Sequence, residues 1–298
     1  MAFADESPMG MAEPAGPGTG PLDDDPAWAE LRRIVRVRAG VDLAAYKNKC
    51  VERRLGVRLR ARRCGSLAEY LRVLSADEAE VPRFLAALTI NVTEFFRNPG
   101  CFERIHEVCL PRLFGREEPA GRRQPIRPIR VWSVGCASGE EPYSLAIVIR
   151  EYMEEHPAER RVRVEIVGTD LDGEMIGRAR GGVYEEARLR EVSPERRARW
   201  FRREGAGWLV APEIRSMVRF EAADAFRTEP PEPQDLIVCR NMLIYLTREQ
   251  QESSFAAFHR SLAPGGFLVL GNAEILIPLA RRLFETRCGR ERIHEARR

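Results

Sequence analysis

The stretch from Val131 to Ala146, VWSVGCASGEEPYSLA, constrains the fold most. It reads as a buried strand, a turn bearing Gly135 and Gly139, and the opening of a helix. From Ile129 onward the same unit recurs. Strand-like IRVWSV, RVEIVGTD, QDLIVCRN and GGFLVLG alternate with helix-like EPYSLAIVIREYMEE, MIGRAR and TREQQESSFAAFHRSLA. Such alternation predicts an α/β fold with a parallel sheet covered by helices on both faces. The last helix is well marked. Thr247 and Gln250 have capping-box spacing, Phe255, Phe258 and Leu262 make its apolar stripe, and Pro264-Gly265-Gly266 is expected to stop it.

The alternation fails on both sides of this region. Residues 27–96 read as an N-terminal helical domain, with Trp28, Leu31, Ile34 and Val35 on one helical face. Before it, the Pro-, Gly- and acid-rich residues 1–26 read as a disordered tail with neither the basic nor the apolar segment of a secretory signal. GREEPAGRRQPIRP, at 115–128, reads as a loop into the next unit. Residues 97–298 then form the α/β domain, interrupted at about 190–220 by an inserted β-subdomain whose helix starts with Ser193 as cap and Pro194 at its first position.

Composition excludes several classes. No apolar run reaches the length of about 18 residues that a membrane span needs. The 7 cysteines form no CxxC pair, and the 4 histidines are far apart, so neither a disulfide framework nor a metal site is expected. A cytoplasmic location fits a reduced set of thiols. The net charge is only +3. Yet between Arg32 and Arg63 the basic residues are opposed only by Asp42 and Glu52, so positive charge is concentrated on the helical domain.

In a doubly wound sheet, ligands sit at the carboxyl ends of the strands. Here those ends carry Gly135 to Gly139, Asp170, and the pair Arg240 and Asn241. A dinucleotide loop would set a helix N-terminus against a pyrophosphate. Glu140 and Glu141 occupy that place, and their charge would repel it. S-adenosylmethionine carries a sulfonium and an ammonium and no phosphate, so the same carboxylates favour it, with Asp170 placed for the ribose hydroxyls. Simple complementation of the helix dipole by the two glutamates is the competing reading. The loop and the fold together point to a class I (Rossmann-like) S-adenosylmethionine-dependent methyltransferase. Base-methylating enzymes usually carry a [DN]-P-P-[YF] stretch after the fourth strand; CRNMLIY stands here without proline, which weighs against a nucleic-acid substrate.

Five motifs together, NVTEFFR at 91–97, the GEEPYS stretch, GTDLD at 168–172, CRNMLIYL at 239–246 and LAPGGFLVLGNAE at 262–274, resemble the CheR family of chemoreceptor glutamate methyltransferases. The likeness runs from about Trp28 to the last strand. It implies transfer of a methyl group from S-adenosylmethionine to glutamates on the cytoplasmic helices of membrane chemoreceptors. By motif match, it implies cofactor contacts from Asn91, Thr93, Arg97, Asp170, Asp224, Ala225, Arg240, Asn241 and one of Glu140 and Glu141. Arg97 and Tyr245 would stand beside the reacting groups. Asp224 replaces the family's more familiar asparagine, and GNAE stands where many members have GHSE or GSSE. The insert between Phe201 and Phe220 looks shorter than in members that dock on a receptor pentapeptide, which favours direct recognition. The protein is expected to act as a monomer.

Methylation of a carboxylate needs no strong general base, because a glutamate is already ionised at neutral pH. Alignment and desolvation can supply most of the rate, with orientation alone worth on the order of 7–11 kcal/mol. Arg97 suits a carboxylate through its planar fork, with a structural ion pair as its alternative. Tyr245 could equally be core packing. The basic helices would steer the enzyme onto acidic receptor helices; a solvated face or nucleic acid are the other readings, the latter weakened by having only Tyr46 and Tyr70 to stack on bases. A module that binds S-adenosylmethionine without turnover is the alternative function.

Overall fold

A computed structural model describes residues 25–89, 93–115, 128–158, 162–227, 230 and 232–297. The tail before Asp25, nearly all of the 115–128 loop, and Asn91 lie outside the described residues. Four helices come first: α1 (Pro26–Ala39), α2 (Asn48–Arg62), α3 (Leu67–Ala76) and α4 (Glu80–Leu88). The Asp25 carboxylate accepts from the Ala27 amide with Pro26 in the first turn, and Gly40 closes α1 in a left-handed conformation. Trp28, Leu31, Ile34 and Val35 are its buried face, as their spacing requires.

Two short helices, α5 (Pro99–Arg104) and α6 (Leu110–Phe114), joined by a π-helical turn, lead to the sheet. There follow β1 (Ile129–Val134), α7 (Glu140–Glu155), β2 (Val164–Asp170), α8 (Gly173–Gly181), β3 (Val183–Tyr184), α9 (Pro194–Trp200), β4 (Phe201–Glu204), β5 (Gly207–Val210), α10 (Pro212–Arg215), β6 (Val218–Ala222), β7 (Gln234–Cys239), α11 (Arg248–Ser261), β8 (Leu262–Leu270), α12 (Ala280–Leu283), β9 (Phe284–Cys288) and β10 (Ile293–Ala296). The main sheet has the order β6-β2-β1-β7-β8-β10-β9. β6, β2, β1, β7 and β8 are mutually parallel, and β10 runs antiparallel to both its neighbours. The chain leaves β1 toward β2 and β6, then returns to lay β7 on the other side of β1. That reversal opens a crevice at the carboxyl ends of β1 and β7.

Two expectations shift. The insert's own sheet, ordered β3-β5-β4, draws its first strand from Val183–Tyr184, ahead of residue 190, while β6 belongs to the main sheet. The Ser193 hydroxyl does accept from the Arg196 amide at the head of α9. At the chain's end, Thr247 caps α11 through the Gln250 amide, but the helix stops at Ser261. Leu262 and Pro264-Gly265-Gly266 lie in β8, where the register against β7 slips between Gln234 and Leu236. The tripeptide therefore distorts the opening of a strand instead of ending a helix.

Residues on successive strand positions feed two cores. Val131, Leu236, Val238, Phe267 and Val269 face α5, α6, α7 and the insert. Trp132, Val134, Ile237, Cys239, Leu268 and Leu270 face the other way, into one continuous core with α1 to α4 and α11. The helical half is thus packed on the sheet and not merely tethered to it.

Part of its basic charge is spent internally. Glu80, fully buried, accepts from Arg58 Nη2 at 2.8 Å, Arg58 Nε at 2.9 Å and the Tyr70 hydroxyl at 2.8 Å, with Arg62 Nε at 3.7 Å. Arg38 donates to the Leu74 and Ser75 carbonyls at the end of α3. Lys49, Arg53, Arg60 and Arg63 remain exposed along α2. Removing a carboxylate that holds buried partners strands them without acceptors. Glu80→Ala is expected to lower stability by about 3 kcal/mol in urea unfolding of the full chain, with Arg53→Ala on the exposed face changing it little.

Candidate active site

The crevice at the switch point is a cleft of about 970 Å³ including its open mouth. The β1–α7 turn forms its floor. Gly135 and Gly139 both adopt positive φ, and each is also close-packed: a Cβ at Gly135 would come within 2.8 Å of Met242 Sδ, and one at Gly139 within 2.8 Å of Ala179 Cβ. Of the residues expected at the site, Thr93, Arg97, Glu141, Asp170, Ala225, Arg240, Asn241 and Tyr245 line this one cleft. Asp224 is not among the lining residues; its carboxylate accepts from the Phe226 amide at 2.9 Å and turns the chain so that Ala225 faces the cleft.

The two adjacent glutamates part company. Glu141 lines the cleft, accepting from the Ser133 hydroxyl at 2.8 Å and from Arg240 Nη1 at 3.1 Å. Burial pushes its carboxyl above the ordinary range, against the opposing pull of Arg240, Ser133 and the Arg97 charge. Glu140 does not line the cleft. It is fully buried on the other side of the helix start, holding the Ser138 hydroxyl at 2.8 and 2.9 Å and facing Arg188 Nε at 3.8 Å. Successive residues of a helix diverge by about 100°, so only one of the pair can reach the cleft.

Glu140 instead belongs to the support of the segment 93–98. Arg188 donates to the Thr93 carbonyl, and its own carbonyl accepts from the Phe95 amide at 3.0 Å. The Phe96 amide donates to Ser144 Oγ at 2.9 Å, and that hydroxyl donates to the Glu140 carbonyl at 2.7 Å. Arg240 Nη2 then holds the Arg97 carbonyl at 2.7 Å and Asn98 Oδ1 at 2.9 Å. Phe96 and Asn98 both have positive φ, so this chain path persists only because it is held on all sides.

Asp170 ends β2 with one oxygen on the Ala137 amide at 2.8 Å and the other on the Asp172 amide at 2.9 Å. Burial raises its pKa, partly offset by those amides. Each oxygen keeps lone-pair capacity toward the cleft. On the opposite wall, Asn241 takes a left-handed backbone, which the buried Glu274 supports by accepting from the amides of Asn241 (2.9 Å), Met242 (2.9 Å), Leu243 (2.8 Å) and Gly271 (2.7 Å). Sequence reasoning missed this glutamate. Its signal was present in GNAE, where only the missing histidine or serine drew notice. It also missed Tyr46, Glu94, Phe102 and Met242, which line the cleft from separate elements.

The family model described as CheR methyltransferase, SAM binding domain, matches residues 91–292, and that described as CheR methyltransferase, all-alpha domain, matches residues 26–89. The chain belongs to the CheR methyltransferase family. A chemotaxis protein methyltransferase of Listeria monocytogenes is 34% identical over 245 residues, covering 82% of this chain and 88% of that protein. Chemotaxis protein methyltransferase 1 of Pseudomonas aeruginosa is 34% identical over 252 residues, with 83% and 89% covered. The chemotaxis protein methyltransferase of Salmonella typhimurium is 35% identical over 265 residues, with 85% and 86% covered.

S-adenosylmethionine is the methyl donor of this CheR-family enzyme, and the residues fit it. A cation brought to Glu141 would relieve a carboxylate that burial disfavours, and Asp170 has acceptor capacity for hydroxyls. Glu274 tests the dependence of the site on its support. Glu274→Gln puts an amide N–H₂ against backbone donors, and S-adenosylhomocysteine is expected to bind about tenfold more weakly by calorimetry, with the circular dichroism spectrum retained.

Proposed function

We propose that this protein transfers the methyl group of S-adenosylmethionine to glutamate side chains on the cytoplasmic helices of membrane chemoreceptors, producing glutamyl methyl esters. The observation that carries this reading is the chemistry of the cleft wall. Its described lining holds arginines but no histidine or lysine, and its carboxylates are engaged: Glu94 by Arg190, Glu141 by Arg240 and Ser133, Asp170 by two backbone amides. Its one thiol, Cys136, is held well above the ordinary range by burial. A hydroxyl or amine acceptor would call for a base to remove a proton, whereas a carboxylate arrives ionised and calls for a cation to place it. Arg97 supplies that cation beside Tyr245. The names of the three relatives given above, each a chemotaxis protein methyltransferase, support the same substrate class.

In this reading S-adenosylmethionine supplies a sulfonium-bound methyl group, and the chain's residues bind and orient. Glu141 takes the cationic amino-acid end, with Thr93, Arg240 and Asn241 around it and Asn91 by motif match. Asp170 takes the ribose, and Ala225 packs on the adenine beside Asp224. Arg97 and Tyr245 hold the acceptor carboxylate in line and keep water from it. The chain divides into a helical half that meets the receptor and an α/β half that holds the donor, with the insert beside the segment 93–98. Lys49, Arg53 and Arg60 recur four and seven residues apart on α2, a spacing that makes one basic ridge for an acidic receptor helix in the cytoplasm.

The test is methyl transfer from radiolabelled S-adenosylmethionine to receptor-containing membranes. Base-labile label on the receptor is expected, and transfer should fall by more than about 100-fold in Arg97→Ala, the scale of one lost electrostatic contact at a reacting centre. Label confined to nucleic acid, or cofactor binding with no transfer at all, would sink the proposal. Receptor methylation should also slow as salt rises from 50 to 500 mM while the affinity for S-adenosylhomocysteine changes little, since screening acts on exposed charges at long range. An equal salt response in both would remove the ridge from receptor recognition.

A further inference from the structure

Tyr46 belongs to the helical half, yet it forms part of the wall of the cleft. It follows the 3₁₀ turn Leu43–Ala45, which the Asp42 side chain caps through the Ala44 amide at 3.0 Å. Its extended backbone pairs with Leu246 in a two-residue antiparallel bridge. The Lys47 amide donates to the Tyr245 carbonyl at 2.9 Å, the Thr247 amide to the Ala45 carbonyl at 2.9 Å, and Lys47 Nζ to the Ile244 carbonyl at 2.7 Å. These bonds fix Tyr46 against the segment that ends in Tyr245. Only 9% of Tyr46 is exposed.

A phenol this deeply buried ordinarily finds an acceptor. Three other buried tyrosines do so: Tyr70 donates to Glu80 at 2.8 Å, Tyr143 to the Ala179 carbonyl at 2.9 Å, and Tyr184 to the Ser138 carbonyl at 2.6 Å. The Tyr46 hydroxyl has no hydrogen-bond partner among the described residues. Burial and the charges of Asp224 and Asp170 together raise its pKa, so it stays a neutral donor. It lines the cleft together with Asp170, Leu171, Ala223 and Ala225, at the ends of β2 and β6, and the charges of Asp170 and Asp224 act on it. A small apolar floor, an acid and an unused phenolic donor are the features that a nucleoside requires: a flat face to pack on, and a proton for a ring nitrogen or ribose oxygen.

We propose that Tyr46 is an S-adenosylmethionine-binding residue supplied by the helical half, its ring packing against the nucleoside portion and its hydroxyl donating to it. The cofactor then ties the helical and α/β halves together, and does so one residue before the basic α2 segment begins at Lys47. The proposal rests on the reading that the cleft takes S-adenosylmethionine with its ribose at Asp170.

Calorimetric titration of the full chain with S-adenosylhomocysteine, and with adenosine by competition, separates the two ideas. Tyr46→Phe removes one oxygen that bonds no described protein atom, so the unliganded melting temperature should hold. Binding of both ligands should weaken by a common factor of about 5–10, the worth of one hydrogen bond, and the ligand-induced rise in melting temperature should shrink. Wild-type affinity for both ligands in Tyr46→Phe overturns the proposal, as does a loss seen with S-adenosylhomocysteine but not with adenosine. Asp170→Asn serves as the control for the premise. If it too binds both ligands normally, the ribose is placed elsewhere and the underlying site assignment falls; if it alone is weakened, only the role of Tyr46 falls.

Discussion

The arrangement of the site depends on one guanidinium. Arg240, with 3% of its side chain exposed, ends β7 and reaches three places that are distant in sequence: Glu141 at the start of α7, the Arg97 carbonyl and Asn98 Oδ1. The ring of Phe102 lies 5.6 Å from the guanidinium carbon and shields it from water. Burying an ion pair is expensive and seldom stabilises a fold relative to an apolar replacement. What this one contributes is position. It couples the carboxylate that faces the cleft to the backbone that carries Arg97, so neither can shift without disturbing the other.

That coupling matters because the cleft is built from unfavourable backbone. Phe96, Asn98, Ala137 and Asn241 all have positive φ without being glycine, and each such residue costs on the order of 1–3 kcal/mol unless its surroundings compensate. Compensation comes mainly from side chains outside the cleft wall, Asp170 excepted. Ser144 and Arg188 hold the 93–96 segment, Asp170 holds Ala137, and Glu274 holds Asn241 with four amides in all. Two acids, Glu140 and Glu274, support the backbone, while Glu141 and Asp170 face the cleft. The division explains how a site for a cationic donor can be rich in carboxylates without repelling itself: the supporting acids are neutralised by Arg188 or by amide dipoles before any ligand arrives.

How much of this could be read beforehand follows from the range of each interaction. The parallel sheet and the caps at Ser193 and Thr247 are local, written in periodicity and in residues three positions apart, and they were legible. The end of α11 was misplaced because Pro264-Gly265-Gly266 breaks a helix and distorts a strand equally well, and only the pairing of β8 with β7 decides between them. Adjacent Glu140 and Glu141 are indistinguishable as letters; the helix turn between them assigns one to the cleft and one to Arg188, which lies 48 residues away in the insert. Tyr46 was out of reach for the same reason. Its neighbours at the cleft come from β2, β6 and the end of β7, and nothing near residue 46 signals them.

The basic helices show how charge counted along a sequence misleads. Of the positive residues between Arg32 and Arg63, Arg58 and Arg62 are drawn inward by Glu80, Arg33 is held by Glu30 and Arg38 by carbonyls of α3. Glu80 and Glu30 offset part of this charge, so the field outside is weaker than the count along the sequence implies. Of the others, Lys49, Arg53 and Arg60 form a narrow exposed ridge on α2, beginning just after the strand-like link that carries Tyr46. A partner helix approaching that ridge would feel a directional field, because Glu80 and Asp77 offset Arg58 and Arg62 beside it. Direction, more than total charge, decides where an acidic partner is drawn. A net charge of only +3 is therefore compatible with strong steering of an acidic partner.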